Sequence, residues 1–151
     1  MNRKLRALNG PIKNVLFLCT GNSARSILAE GILNHIGHGK FKAYSAGSNP
    51  VGTVNPHAIQ QLISQGITGD FTSKNWRKFE RDGAPHFDLV ITVCDKVEKI
   101  KCPAFHGPAY KLHWSLKDPA AVKGTPKEIE KAFATTCQEL YTHIQELIKT
   151  L

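Results

Sequence analysis

The sequence predicts an α/β fold of three layers, in which a small, about four-stranded parallel sheet has helices on both faces. Segments with strand character alternate with segments of helical periodicity, and this order requires right-handed crossovers between parallel strands. The run LVITV at residues 89–93 is almost continuously apolar, which is typical of a strand buried on both faces. The chain has 151 residues, without repeats or a linker-like stretch, so we expect a single domain over residues 14–151.

Two strands and two helices are predicted in the first half of the chain. Apolar residues recur at helical spacing from about Ala24, and Gly37 ends that pattern. Asn55 and Pro56 supply a capping residue and a first-turn proline, and Gly66 ends the helix that they begin. The strands on either side of the first helix are predicted at residues 15–18 and 41–45.

The second half is predicted to add two strands and a long final helix. A short stretch around Trp76 and Phe79 has helical character, and a weaker strand near residues 111–113 follows the strong one. The segment TPKE at 125–128 has the form of a capping box, so it begins the final helix. The apolar stripe of that helix consists of Ile129, Phe133, Cys137, Leu140, Ile144, Leu147 and Ile148.

The charge favours small anionic partners. There are 20 Lys and Arg against 12 Asp and Glu, but the basic residues are scattered, so no specific nucleic-acid partner is expected. Residues 1–13 are basic and lack the apolar core of a secretory signal, which predicts a flexible N-terminal arm. No apolar stretch approaches the roughly 20 residues that a membrane span needs. We therefore expect a cytoplasmic protein without a membrane partner, and a monomer.

The four cysteines are expected to serve packing or catalysis. Without an export signal a static disulfide framework is not expected, and no CxxC or HxxxH pair favours zinc. Cys137 lies on the apolar stripe of the final helix, where a free cysteine behaves as a small hydrophobic residue. Cys19, Cys94 and Cys102 remain as candidates for chemistry.

The segment VLFLCTGNSARS at residues 15–26 predicts an anion site. Cys19 lies at the carboxyl end of the first strand, where doubly wound sheets bind ligands. The loop after it is expected to direct backbone N–H groups at one spot, together with the positive end of a helix dipole. This field suits an oxyanion and also a thiolate. The alternative interpretation of this segment is simply a buried cysteine at the end of a strand beside a surface arginine. The predicted oxyanion-binding residues are Thr20, Gly21, Asn22, Ser23, Ala24, Arg25 and Ser26.

Several motifs together resemble one known superfamily. They are CTGNSARSILAEG at 19–31, YSAG at 44–47, NP at 55–56, TVCDKVEKIKCP at 92–103 and HWSLKDPAA at 113–121. These segments resemble the low-molecular-weight protein tyrosine phosphatases, and within that superfamily they are most similar to the thioredoxin-coupled arsenate reductases. The likeness covers nearly the whole chain from Asn14, and it implies a low-molecular-weight phosphatase-like fold.

The resemblance implies catalytic roles for Cys19, Arg25, Asp118, Cys94 and Cys102 in reducing arsenate. Cys19 would attack arsenic while Asp118 protonates the departing oxygen. Cys94 would then release arsenite by forming a disulfide with Cys19, and Cys102 would take over the bond to Cys94. The last disulfide would be reduced by thioredoxin, or else by glutaredoxin or a low-molecular-weight thiol, with no cofactor.

Two other functions stay open. A low-molecular-weight protein tyrosine phosphatase, or a phosphomonoesterase of small substrates, would use Cys19, Arg25 and Asp118 alone. A non-enzymatic anion sensor would need only the loop. Phosphatases of this type carry aromatic residues after the Asp-Pro pair, whereas this chain has Ala120 and Ala121, and residues 48–51 contain no aromatic. A pocket without aromatic walls favours a small inorganic oxyanion.

The resemblance also raises the question of a cation beside the loop. Some relatives bind potassium there through an asparagine, a glutamate, a serine and an aspartate. Asn22, Glu30 and Ser45 match the first three, but Lys74 falls where the aspartate would be. Its ammonium group could take the place of the cation, so no required metal is expected. The His-Trp pair at 113–114 is interpreted as packing that positions the acid loop.

Overall fold

The computed structural model describes residues 12–98, 103, 105 and 109–151. Cys102 and residues 1–11 of the predicted arm lie outside the described residues. The elements, in chain order, are β1 (Lys13–Cys19), α1 (Arg25–Ile36), β2 (Phe41–Gly47), α2 (Pro56–Ser64), a 3₁₀ helix (Trp76–Glu80), β3 (Leu89–Thr92), α3 (Asp95–Glu98), β4 (Tyr110–His113), a second 3₁₀ helix (Pro119–Ala121) and α4 (Pro126–Thr150).

In the described part of the chain, four parallel strands form one sheet in the order β2-β1-β3-β4, which confirms the predicted sheet. The register pairs Cys19 with Gly47 and Leu18 with Thr92, and Thr92 pairs in turn with His113. Because all strands run the same way, their carboxyl ends meet at one edge of the sheet. The residues that follow these ends therefore converge on one place.

Helical elements cover both faces of the sheet, as predicted. The Ser45 side chain bonds to Glu30 of α1, whereas the ring of Tyr44 packs against Phe79 of the first 3₁₀ helix. Successive side chains of a strand point to opposite faces. Helix α1 and this 3₁₀ helix therefore lie on opposite faces, and α2 and α4 pack against α1.

The core is built around β1, whose residues 15–18 are fully buried because strands flank it on both sides. Local signals define the helix ends: the Asn55 side chain accepts from the N–H of His57, and Thr125 forms the predicted capping box with Glu128. Cys137 is buried among the core residues, as predicted. No helix in the described residues is long and apolar enough to cross a membrane.

Some strand ends differ from the sequence prediction by one or two residues. Strands β1 and β2 extend beyond their apolar runs, to Lys13 and to Gly47, because parallel pairing continues through polar and small residues. Strand β3 ends at Thr92, one residue early, although the N–H of Val93 still donates to the Leu18 carbonyl at 2.9 Å. Cys94 consequently lies two residues beyond β3, at the carboxyl edge of the sheet.

Candidate active site

The loop between β1 and α1 turns its carbonyl groups away from Cys19. The carbonyls of Cys19, Thr20, Gly21 and Ser23 accept hydrogen bonds from backbone N–H groups in the segment 48–55, at 2.9–3.3 Å. In a trans peptide unit the C=O of one residue and the N–H of the next point in opposite directions. The N–H groups of the loop are therefore directed inward. No described side chain caps α1, whose first N–H groups add to the same positive field.

Cys19 lies inside this ring of donors. It is a free thiol, 3% exposed, and its Sγ lies 3.2 Å from the N–H of Asn22 and 2.9 Å from Ser26 Oγ. Ser26 Oγ already accepts from the Asn22 amide at 2.8 Å, which leaves its hydroxyl proton available to the sulfur. Asn22 adopts a φ of 45°, a left-handed conformation in which asparagine is tolerated. These donors suit a thiolate.

Arg25 connects the loop to the Asp-Pro segment. Its side chain is 16% exposed, and Nη1 donates to the carbonyl of Leu116 at 2.9 Å. Nη2 lies 3.8 Å from Asp118 Oδ2, a loose ion pair on a carboxyl group that is 43% exposed. Asp118 Oδ1 also accepts from the N–H of Ala120, and this bond caps the short 3₁₀ helix. The structure thus brings Cys19, Arg25 and Asp118 to one site, while their catalytic roles stay predictions.

Lys74 contacts Asn22 of the loop and Ser45 of β2, two of the residues that match the potassium ligands of the relatives. Its Nζ donates to Ser45 O at 2.9 Å and to Asn22 Oδ1 at 3.2 Å, and it lies 3.4 Å from Ser45 Oγ. The Lys74 backbone N–H donates to the same Asn22 oxygen at 2.8 Å. An ammonium group therefore already binds the oxygens that a potassium ion would use here, so these residues do not fit a bound potassium ion.

Glu30 supplies a negative charge on the far side of Ser45. The Ser45 hydroxyl donates to Glu30 Oε1 at 2.6 Å. Burial raises the pKa of the Glu30 carboxyl above its usual 4.5, although the Ser45 bond and the Lys74 ammonium oppose this shift. Burial lowers the pKa of Lys74, while the carboxylate of Glu30 opposes that shift. Both groups contact Ser45, so the charge of each influences the other across that residue.

Cys94 reaches the same loop from β3. It is a free thiol, 2% exposed, and its Sγ lies 3.3 Å from Thr20 Oγ1. Thr20 is the residue next to Cys19, so the second thiol contacts the loop that holds the first. Cys102, the predicted third thiol, lies outside the described residues.

A polar cluster that sequence reasoning missed lies beside Cys94. His113 Nε2 and the Ser115 hydroxyl both contact Asp95 Oδ1, at 2.8 and 2.9 Å, and His113 Nδ1 lies 2.7 Å from Thr92 Oγ1. We call these four residues the Asp95 cluster.

The predicted packing role holds for Trp114, whose ring contacts Phe17 and His143, but His113 forms hydrogen bonds instead. Only the strand register, which pairs Thr92 with His113, could have indicated the cluster.

Comparisons with known proteins agree with this architecture. An arsenate reductase of Bacillus subtilis is 33% identical over 138 residues, covering 91% of this chain and 96% of the relative. The crystal structure of an arsenate reductase from Archaeoglobus fulgidus superposes with a TM-score of 0.73 over 89% of this chain and 98% of that one, at 24% identity.

Two further solved structures belong to the two functional classes considered above. A thioredoxin-dependent arsenate reductase from Corynebacterium glutamicum is 27% identical with a TM-score of 0.58, covering 94% of this chain and 66% of that one. A low molecular weight protein tyrosine phosphatase from T. tengcongensis is 28% identical with a TM-score of 0.69, covering 92% and 99%. The model of the low molecular weight phosphotyrosine protein phosphatase family matches residues 14–151, and this chain belongs to that family.

Proposed function

We propose that this protein is an arsenate reductase that uses a relay of thiols and is regenerated by thioredoxin. The observation that carries the proposal is the second buried thiol, Cys94, whose sulfur lies 3.3 Å from the hydroxyl of Thr20 beside the nucleophile. Hydrolysis of a phosphate ester needs no such group. The similarity to arsenate reductases, one of them thioredoxin-dependent, supports the same reaction.

The first step is the attack of the Cys19 thiolate on arsenic. The inward N–H groups of the loop and the guanidinium of Arg25 would hold the tetrahedral oxyanion and the charge that develops on it. Asp118, which lies beside Arg25 at the exposed mouth of the site, would give its proton to the departing oxygen, so that water leaves. The product is a covalent Cys19–arsenic(V) adduct.

The second step transfers two electrons to arsenic. The Cys94 thiolate attacks the sulfur of Cys19, a sulfur–sulfur bond forms, and the electron pair of the sulfur–arsenic bond stays on arsenic, which leaves as arsenite. One arsenate and two thiols give one arsenite, one water and one disulfide, so the oxidant is the substrate itself. Ala120 and Ala121, which follow the Asp-Pro pair, and Val51 offer no aromatic wall for a phenyl ring, which favours a small oxyanion.

Regeneration would pass through Cys102. Its thiolate would attack Cys94 and free Cys19, and thioredoxin would reduce the resulting Cys94–Cys102 disulfide, with glutaredoxin or a small thiol as alternative donors. A relay whose resting state is reduced needs a reducing compartment, so we propose that the protein acts in the cytoplasm. We also propose that it acts as a monomer; gel filtration tests this directly.

A phosphatase is the second candidate. The Cys19, Arg25 and Asp118 constellation is sufficient for ester hydrolysis, and the similarity to a tyrosine phosphatase structure supports it. The exposed position of Asp118 allows it to protonate an ester oxygen as well as an arsenate oxygen. Residual hydrolysis of a small phosphate ester is therefore expected even from a reductase.

The deciding experiment measures two activities on three proteins. Arsenate-dependent oxidation of NADPH through thioredoxin reductase and thioredoxin is recorded beside p-nitrophenyl phosphate hydrolysis, for the wild type, Cys94→Ser and Cys102→Ser. A reductase loses arsenate turnover in both variants and keeps its ester hydrolysis. Cys137→Ser is the matched control, because it removes a buried thiol on α4 that the relay does not use.

Other outcomes contradict the proposal in distinguishable ways. Ester hydrolysis by all three proteins without arsenate turnover by the wild type would identify a phosphatase. Phosphate binding without either activity would identify an anion sensor. Full arsenate turnover by Cys94→Ser would show that the second thiol is not part of the reaction.

A further inference from the structure

The Asp95 cluster fastens the residue that follows Cys94 to strand β4. Asp95 begins α3, and its Oδ1 accepts from the Ser115 hydroxyl at 2.9 Å and lies 2.8 Å from His113 Nε2. A carboxylate only accepts hydrogen bonds, so Nε2 carries a proton. In the neutral ring Nδ1 then accepts from the Thr92 hydroxyl at 2.7 Å. Every donor in this arrangement has an acceptor, and the backbone on both sides of Cys94 is held.

These contacts add little to the stability of the fold. The Asp95 side chain is 65% exposed, and exposed pairs of this kind contribute little to stability. Their geometric effect is larger, because Cys94 is joined directly to Asp95 and follows Thr92 by two residues. Contacts at both of these residues restrict the backbone that carries the Cys94 thiol beside Thr20.

The same stretch of chain also reaches the other side of the site. Two residues of the segment 113–115 bind Asp95, and the carbonyl of Leu116 directly after them accepts from Arg25 at 2.9 Å. Asp118 follows two residues later. Cys94 is thus positioned relative to the oxyanion site by a connection only a few residues long.

We propose that Asp95, held by His113 and Ser115, is a positioning residue that keeps Cys94 in the orientation from which it attacks Cys19. This proposal rests on the reductase function proposed above and concerns its second step, in which the Cys19–Cys94 bond forms and the sulfur–arsenic bond breaks. In this role Asp95 and His113 act through the backbone of residues 92–95 and take no part in the bond changes themselves.

The test isolates the formation of the Cys19–Cys94 disulfide. In a Cys102→Ser background this disulfide is the end product, so its rate after addition of excess arsenate is followed by alkylation, digestion and mass spectrometry. We expect Asp95→Ala and His113→Leu to slow it by about tenfold, the size of effect that a small misplacement of a reacting group produces. His113→Gln retains an amide donor where Nε2 lies, so it should restore most of the rate.

Two readouts separate positioning from general damage. Alkylation of Cys19 by iodoacetate, and its protection by phosphate, are measured in a Cys94→Ser, Cys102→Ser background, and Asp95→Ala should leave both unchanged. Asp88→Asn is the matched control, because that carboxylate accepts the N–H of Asn14 at the opposite edge of the sheet. It should not change the rate of disulfide formation.

The possible outcomes separate this proposal from the function on which it rests. If the Cys102→Ser parent forms no disulfide with arsenate, the reductase function is wrong. Oxidation of the same thiol pair by diamide then still tests the positioning, since it needs no arsenate. Equal diamide rates with and without Asp95, equal arsenate rates, or a parallel loss of phosphate protection in Asp95→Ala would each overturn the proposal.

Discussion

Replacing Lys74 by methionine removes one ammonium group and keeps most of the apolar stem. The loss affects the loop through Asn22, whose side-chain oxygen accepts from Nζ at 3.2 Å and whose N–H donates to the Cys19 sulfur at 3.2 Å. It also leaves the carbonyl of Ser45 without its 2.9 Å donor and Glu30 without the nearby opposite charge. We therefore expect both the stability of the fold and the reactivity of Cys19 to fall.

The size of the stability loss follows from the contacts. Two of the three contacts of Nζ lie within good hydrogen-bond distance, at 2.9 and 3.2 Å, and the third, at 3.4 Å, is marginal. A hydrogen bond to a charged group contributes roughly 1.5–3 kcal/mol when buried. The site is half-buried, so we discount this to about 1 kcal/mol for each good contact. The expected loss is about 2 kcal/mol, or a shift of about 1 M in the urea midpoint.

The assay compares Lys74→Met with Lys78→Met. Lys78 is exposed and close enough to influence the charge on both Glu30 and Lys74, so its removal makes the same change in net charge without a contact to the loop. Urea unfolding should show the loss for Lys74→Met alone. Arsenate turnover should fall with it, by about tenfold in kcat/KM, and restoring the charge with Lys74→Arg should recover part of both.

The tethered charge of Lys74 also predicts how turnover responds to the cation in solution. Because the positive charge is covalently tethered, replacing potassium by tetramethylammonium at constant ionic strength should not change the turnover of the wild type. Equal unfolding midpoints for Lys74→Met and Lys78→Met would refute the assigned contacts. A wild-type activity that needs potassium would refute the statement that these residues do not fit that ion.

Three other predictions concern single side chains. Gly47→Ala places a methyl group 2.5 Å from the Thr20 carbonyl, so the loop must shift; calorimetry should show a loss of about 1–3 kcal/mol, and Cys19 alkylation should change with it. Burial raises the folded-state pKa of the Glu30 carboxyl above 4.5, so the stability that Glu30 contributes is complete below pH 4.5 and is lost as the pH rises through the folded-state pKa. In urea titrations, the difference in unfolding free energy between wild type and Glu30→Gln should therefore decline from pH 4.5 up to that pKa. Thr125→Ala removes the cap of α4 and should cost about 1 kcal/mol in urea unfolding, whereas Lys127→Ala should not.

The fold could be predicted where local signals and burial agree. The caps at Asn55 and Thr125 depend on hydrogen bonds between residues two or three apart, so they are visible in the sequence. The buried run in β1 and the apolar stripe of α4 follow from periodicity. The extension of β2 to Gly47 could not be read in this way, since it depends on pairing with Cys19 and on a bridge to Asn75.

In the candidate site, too, the parts formed by neighbouring residues could be predicted from the sequence, whereas the parts formed by strand pairing could not. The order of Cys19, the loop and Arg25 is local, and a strand followed by a helix is enough to predict an anion cradle there. The Asp95 cluster joins residues 18–21 positions apart through a strand register that the sequence does not show. Asp95 alone is an ordinary charged residue after a cysteine, and His113 an ordinary residue before a tryptophan. Only the parallel pairing of β3 with β4 brings them together.

The two buried thiols are supported by different parts of the chain, and this separates the two steps of the proposed reaction. Cys19 accepts a hydrogen bond from the N–H of Asn22, and the side-chain oxygen of Asn22 accepts from both the backbone N–H and the ammonium group of Lys74. Cys94 depends on Asp95, which is held by the segment leading to Asp118. Changes at Lys74 should therefore weaken oxyanion binding and every reaction of Cys19, including ester hydrolysis. Changes at Asp95 should spare those reactions and slow only the sulfur–sulfur exchange, so the pattern of loss identifies which support has failed.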